Sequence, residues 1–302
     1  MSIRELVVLG TSSQAPTRSR AHPGAVLRWD DEVVLLDPGE GTQRQLTLAG
    51  IAAGSISRIL LTHLHGDHCL GLPGVLQRMT LDGARSVDLW FPAAGQEYVD
   101  RLRHASVAHE GLDVREHPVD SDGLVDRWPG LELHARALDH RTPTYGWRLQ
   151  EPDGRRMLPA RLAEAGVHGP DVGRLVRDGV LDVGGRPFRV EDVSEPRPGQ
   201  SFAVVMDTRV CDAAVELARQ VDLLVCESTY LTGEADLAEA YAHLTAAQAG
   251  RIAADAGARR LVLMHYSARH SEEQVFAAEA RRHFADVHAA RDLDRVPVPP
   301  RR

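Results

Sequence analysis

The sequence predicts a layered α/β fold in which sheets are flanked by helices. Short apolar runs of strand length alternate along the chain with segments of helical periodicity. Several of those runs end directly in Gly, Asp or His, as strands do when they lead into a loop that carries chemistry. The 302 residues, 43% hydrophobic and 26% charged, suffice for a large core of ordinary globular composition.

Leu6 to Leu9 is an apolar run stopped by Gly10, and Val33 to Leu36 is another, stopped by Asp37-Pro38-Gly39. Their continuous apolarity marks strands buried on both faces. A third run, Arg58 to Thr62, leads into His63-Leu64-His65-Gly66-Asp67-His68, after which Leu70 to Met79 has helical spacing. Further strands are predicted over Val87–Phe91, Leu131–Leu138, Phe202–Met206, Leu223–Cys226 and Leu261–Met264. Helices are predicted over Gln96–His104, Ala213–Gln220, Thr245–Ala256 and Glu272–Phe284. From 150 to 200 the alternation lapses into a Pro-, Gly- and charge-rich stretch with one helix candidate, Pro159–Ala165, and a Gly169-Pro170 breaker, and this is read as an insertion projecting from the body. The body is expected to be a single domain over 1–295, and the proline-rich tail 296–302 is expected to be disordered.

No run approaches the roughly 20 apolar residues of a membrane helix, and Met1 to Glu5 lacks the apolar stretch of a signal peptide, so a cytoplasmic protein with no membrane partner is expected. The three cysteines, Cys69, Cys211 and Cys226, are read as reduced. A net charge of −8 weighs against a nucleic-acid partner, because a phosphate backbone is bound mainly by clustered cations. Distribution outweighs the total: between Gly154 and Arg189 seven arginines face four acids. All cationic side chains are arginine; a GC-rich genome is the plainer explanation, and guanidinium forks that grip phosphate are the alternative.

The His63–His68 run sets four metal-binding groups, His63, His65, Asp67 and His68, in six residues at the end of a predicted strand, with Gly66 letting the loop turn tightly. That many imidazole and carboxylate groups can serve two ions. Zinc suits them best, with manganese or iron left open by ligand type. Two ions need more ligands, and His140, Asp207 and His265 each follow an apolar run closely. Any one alone would read as a capping Asp or a hydrogen-bonded His. Their repeated placement points instead to one sheet edge. His104, His109, His117, His134, His168, His283 and His288 lack motif partners and are read as surface or core histidines.

His63-x-His65-x-Asp67-His68 with His140, Asp207 and His265 resembles the metallo-β-lactamase superfamily, which implies a four-layer αβ/βα sandwich. Within it the chain resembles the short form of tRNase Z, over about Leu6 to His270. The marks are Leu9-Gly10-Thr11-Ser12-Ser13 with Pro16-Thr17, Asp37 to Gln43, His140 followed by Pro143, Gly146 and Trp147, Asp207-Thr208, Glu227-Ser228-Thr229, His243-Leu244-Thr245 and His265 to Arg269. The resemblance implies an endonuclease that cuts transfer RNA precursors and removes the 3′ trailer. It implies one zinc on His63, His65 and His140, a second on Asp67, His68 and His265, and Asp207 bridging them. It also implies His243 as general acid oriented by Glu227, residues 150–200 as an arm that grips the RNA, and a homodimer; Asp67, a ligand beside a water shared by the two ions, is expected to serve as general base. Two positions depart from the pattern: Arg20-Ala21 stands where Arg-Asn is usual, in a loop expected to meet the RNA 3′ end, and Met206 replaces a glycine, a change expected to alter only packing. A small-molecule phosphodiesterase, sulfatase or thioesterase of the same fold, which needs no basic arm, and a non-catalytic RNA-binding scaffold, which would have lost ligands, are the alternatives.

Overall fold

The computed structural model describes residues 3–107 and 111–301; His109 lies outside them. The chain begins with β1 (Arg4–Gly10), β2 (Gly24–Trp29), β3 (Glu32–Leu36) and α1 (Thr42–Leu48). Next come β4 (Arg58–Leu60), α2 (Gly66–Cys69), α3 (Leu72–Leu81), β5 (Ser86–Pro92), α4 (Gln96–Arg103) and β6 (Asp113–Val119). β7 (Gly123–Trp128), β8 (Leu131–Leu138) and β9 (Thr144–Gln150) follow. Residues 150–200 then hold β10 (Gly154–Met157), α5 (Pro159–Glu164), α6 (Pro170–Asp178), β11 (Val180–Val183), β12 (Arg186–Arg189) and β13 (Ser194–Arg197). The chain continues with β14 (Ser201–Val205), α7 (Asp212–Leu217), β15 (Leu223–Glu227), α8 (Ala235–Tyr241), α9 (Ala246–Ala256), β16 (Arg260–Met264), α10 (Glu273–Ala280), β17 (Val287–Ala289) and β18 (Arg295–Pro297).

Two compact units result, one of residues 1–149 and 201–299, the other of 150–200 and 300–302. The larger unit contains two seven-stranded sheets, ordered β18-β1-β2-β3-β4-β5-β6 and β17-β16-β15-β14-β9-β8-β7. Their facing sides share one core that includes Leu6, Leu27, Trp147, Phe202, Val225 and Val262. The outer face of the first sheet packs Leu9 and Leu35 against Leu72 and Val75 of α3. That of the second packs Leu224 and Leu261 against Ile252 of α9 and Phe276 of α10. Helix, sheet, sheet, helix is the expected four-layer arrangement, and burial on both faces explains why the central strands are continuously apolar. Met206 lies in the inter-sheet core, 3% exposed, so the departure there is a matter of packing.

Parallel pairing levels the strand ends. β14 matches Val205 with Cys226 of β15, which matches Glu227 with Met264 of β16, and β3 matches Leu36 with Leu60 of β4. The residues just beyond these ends therefore meet at one edge, where α/β folds build their sites.

Three expectations need correcting. The helix expected from Leu70 begins earlier and is interrupted: α2 already contains Asp67 and His68, and α3 starts at Leu72 behind Gly71. Residues 296–298 of the tail are ordered, because β18 pairs antiparallel with β1 (Leu6 opposite Val296) and both Val296 and Val298 are buried. Gly169-Pro170 does not break structure but starts it. Gly169 has a φ of +53° and Pro170 occupies the first turn of α6, where proline's missing N–H costs nothing. The smaller unit thus has two helices and two antiparallel strand pairs, β10 with β13 and the hairpin β11–β12, around a small core of Val167, Leu175, Val190 and Val193.

Replacing both Val296 and Val298 by Ala is expected to lower unfolding stability by about 2–4 kcal/mol, measured by denaturant titration. An unchanged midpoint would mean that the tail contributes nothing to the body.

Candidate metal centre

His63 lies just past β4, His65 precedes α2 with an extended backbone, and Asp67 and His68 occupy the single turn of α2. Gly66 is not what makes this tight: its φ is not positive, and a Cβ there would meet only the flexible tip of Leu70. The close approach is at Gly39 and Gly71. A Cβ on Gly39 would lie 2.1 Å from the Asp67 carbonyl oxygen, and one on Gly71 would lie 1.9 Å from that of Gly39. Only glycine lets the loop after β3 lie against α2.

That loop also supplies Asp37, which has no role among the sequence-based expectations. Asp37, buried directly after β3, accepts from the Thr62 N–H and hydroxyl at 2.7 Å each, and from His68 Nδ1 at 3.0 Å. The Thr62 hydroxyl in turn accepts from His63 Nδ1 at 3.0 Å. His140 Nδ1 donates to the Ala242 carbonyl at 2.8 Å, and His265 Nδ1 donates to the Thr229 hydroxyl at 2.8 Å. With Nδ1 engaged from behind, each of these four rings turns its Nε2 inward, the nitrogen that would ligate a metal once any proton there is displaced.

The inward atoms form two sets. In the first, His63 Nε2 is 3.0 Å from His65 Nδ1, His140 Nε2 is 3.4 Å from His65 Nδ1, and these Nε2 atoms lie 3.5 and 3.8 Å from Asp207 Oδ2. In the second, His68 and His265 Nε2 are 3.2 Å apart, each 3.5 Å from Asp67 Oδ2, and 3.3 and 3.4 Å from Asp207 Oδ1. Ligands about 2.1 Å from a tetrahedral ion stand about 3.4 Å apart, so both sets have the spacing of a tetrahedral centre. At 3.2 Å the His68 and His265 Nε2 atoms must share a cation, either a proton or a metal ion. Asp207 Oδ1 is buried without a hydrogen-bond donor, a state that costs free energy unless a positive charge satisfies it. The residues fit a divalent metal centre.

Three of these residues carry backbone strain. Asp37, Asp207 and His265 have φ of +43°, +29° and +63°, each at the first or second position after a parallel strand. Non-glycine residues in this region cost about 1–3 kcal/mol and persist where the surroundings over-determine them.

A third grouping, Asp207 with His243 and His265, has similar reach, so distance alone does not distinguish His243 from the ligands. Its partner does. The His243 atom that comes within 3.9 Å of Asp207 is Nδ1, already held by Glu227 Oε1 at 3.0 Å. Glu227, fully buried, also accepts from Thr208 N, the Thr229 hydroxyl and Leu244 N at 2.7, 2.6 and 3.1 Å. Thr245 does cap α9, through a reciprocal bond with Gln248, and so anchors the segment on which His243 stands.

The charges are mutually dependent. Burial opposes charge on His68, but Asp207, Asp67 and Asp37 outweigh it and raise the ring to about 10. Burial and neighbouring cationic rings hold His63 well below the ordinary value, and burial above all lowers His65 and His140. On Asp67 and Asp207 burial opposes ionisation, yet His68 and His265 keep both carboxyls well below the usual range. On Glu227 burial likewise opposes ionisation and His243 prevails.

The cluster opens into a cleft of about 710 Å³ lined also by Gln14, Arg141, Tyr230, Tyr241 and Arg269. Gln14, from the loop after β1, donates its N–H to Asp67 Oδ2 at 2.8 Å. Arg20 belongs to that loop but faces inward: it is 3% exposed, pairs with Glu273 and donates to the His270 carbonyl at 2.7 Å, while Ala21 N donates to Asp292. In this chain the departure at 20–21 is therefore part of a buried brace. Cys69, Cys211 and Cys226 are all free.

Across its whole length the chain is 56% identical to the ribonuclease Z of Nocardia farcinica, with all of both chains covered. The chain belongs to the ribonuclease Z family. Residues 4–116 match a family model described as anti-Pycsar protein Apyc1. The solved structure of human tRNase Z, short form, aligns with a TM-score of 0.71 at 25% identity, covering 98% of this chain and 100% of that one. A metallo-β-lactamase fold protein of Bacillus subtilis aligns with the same TM-score at 16% identity over 98% of this chain and 99% of that one, which bears on the fold alone.

Metal uptake must displace the proton that His68 otherwise holds, so apparent affinity is expected to rise about tenfold per pH unit near neutrality for each proton released. Chelator competition at pH 6, 7 and 8 measures it. Asp37→Asn, which weakens the anchor of His68, is expected to lower affinity about 10- to 100-fold with the fold retained by circular dichroism.

Proposed function

We propose that the protein is a zinc-dependent endoribonuclease that cuts transfer RNA precursors on the 3′ side, leaving a 3′-hydroxyl on the tRNA and a 5′-phosphate on the trailer. The observation that carries this reading is the part-buried His243 held by the buried Glu227 at the rim of two ligand sets that share Asp207. Metal centres alone would suit many hydrolases of the fold. An added proton donor suits a leaving group as poor as a ribose 3′ oxygen.

Two divalent ions, one on His63, His65, His140 and Asp207 and one on Asp67, His68, His265 and Asp207, would supply Lewis acidity to water and to phosphate oxygens. The chain's own groups do the rest. Asp67 takes the proton of the attacking water, its Oδ2 lying against Gln14 N and the His68 and His265 rings. His243 protonates the leaving oxygen from Nε2 while Nδ1 stays on Glu227. Burial works against charge on this ring, but Glu227 and then Asp207 overcome it and raise the ring to about 9.

In this reading the smaller unit, residues 150–200, is the substrate-binding arm whose arginines meet RNA phosphates, the protein works as a homodimer, and it resides in the cytoplasm. Recognition of duplex RNA by shape and backbone suits a small arginine-rich element. The 56% identity to a ribonuclease Z over the whole of both chains disfavours a small-molecule hydrolase.

A precursor tRNA bearing a 3′ trailer, incubated with the purified protein beside a chromogenic phosphodiester, is expected to be cut; an intact precursor with the ester hydrolysed overturns the proposal. His243→Ala is expected to lower kcat about 10²- to 10⁴-fold with metal content unchanged.

The pH dependence has a defined sign. A raised pKa keeps His243 protonated at neutral pH, so the acid-dependent step fades as pH climbs through about 9. Glu227→Gln removes the charge that raises it, and the alkaline limb of the kcat profile is expected to move to lower pH.

Deletion of 153–198 is expected to cut activity on precursor RNA severely and spare the small ester. Equal losses on both would show that the segment only supports the fold.

A further inference from the structure

Tyr241, Ala242 and His243 are consecutive, and each has a different relation to the cleft. α8 ends at Tyr241, and Ala242 terminates the helix in the left-handed conformation, φ +59°. That reversal turns the Ala242 carbonyl to His140 Nδ1 at 2.8 Å and sends His243 to Glu227. Tyr241 is left on the cleft wall, 48% exposed.

Arg141, the residue after His140, places its guanidinium over the Tyr241 ring, 5.9 Å from the centroid, and is itself exposed in the same cleft. Among the described residues no carboxylate pairs with Arg141, although the protein carries 43 acidic residues against 35 basic ones. Tyr230, the other tyrosine of the cleft, is 9% exposed and lies edge-on to His243, so it offers no free face.

Resting on the RNA-cleaving reading above, we infer that Tyr241 and Arg141 form a stacking shelf for one nucleobase flanking the scissile phosphate. A phenol ring and a guanidinium plane are the two protein surfaces on which unstacked bases settle, and both tolerate any base because each base has a π-face. The shelf is a binding device. It sits beside the proton donor in the chain, so a base held there fixes the adjoining sugar–phosphate relative to His243.

The test compares wild type, Tyr241→Ala, Tyr241→Phe and Arg141→Gln on precursor RNA, and on the same RNA made abasic at either nucleotide flanking the cleaved bond. Wild type is expected to lose about 5- to 150-fold in kcat/KM, mostly through KM, when one of those bases is missing. Tyr241→Ala should lose as much on intact RNA and little more on the abasic one. Tyr241→Phe should retain most activity, and Arg141→Gln should fall between. Metal content and melting temperature serve as the checks on folding.

Full multiplication of the Tyr241→Ala and abasic losses would overturn the shelf. A fall in kcat with KM unchanged would do the same, since that outcome means disturbance of His140 or His243 through Ala242. Absence of any cleavage by wild type would instead sink the RNA-cleaving reading and is distinguishable from both.

Discussion

The carboxylate of Asp207, 2% exposed and with one oxygen lacking any hydrogen-bond donor, imposes the condition that the surrounding residues satisfy. A buried anion of this kind is tolerable only with positive charge beside it. Histidine rings reach it from four elements, and each ring is fixed from behind by a group that takes its other proton: Thr62 for His63, Asp37 for His68, Ala242 for His140, Thr229 for His265. These outer partners determine which nitrogen faces inward. The site is therefore better described as a shell of acceptors holding rings than as a list of ligands.

Strand register makes such a shell possible. β3 and β4 in one sheet, and β14, β15 and β16 in the other, run parallel and end level, so the next residues of five strands meet without long loops. The left-handed backbones at Asp37, Asp207 and His265 are the local cost of turning a side chain inward immediately after an extended strand. The inter-sheet core and the helices behind each sheet supply the rigidity that sustains it.

Sequence made most of this legible for one physical reason. A polar residue just after a continuously apolar run is conspicuous, and His63, Asp207 and His265 all have that position; the same signature at Asp37 was masked because Asp-Pro-Gly also spells an ordinary turn. β9 was missed because Thr144, Gly146, Arg148 and Gln150 interrupt its apolarity, although Trp147 and Leu149 reach the central core. β6, with Asp113, Arg115, Glu116 and His117, is an edge strand, and charge there hides strand character. β17 and β18 are three residues each, too short for periodicity to register. In the smaller unit, Gly169-Pro170 misled because proline's meaning depends on position: it ends a helix from within and opens one from the first turn.

Ala242 has a consequence for how this protein can vary over time. Three successive residues around one helix reversal serve three neighbours, so the composition of α8 is loosely constrained while its length is not. A one-residue insertion or deletion between Glu234 and Ala242 would rotate the exit of the helix by about 100° and detach His140 and His243 together. Drift by substitution is open to this helix, and drift in length is closed.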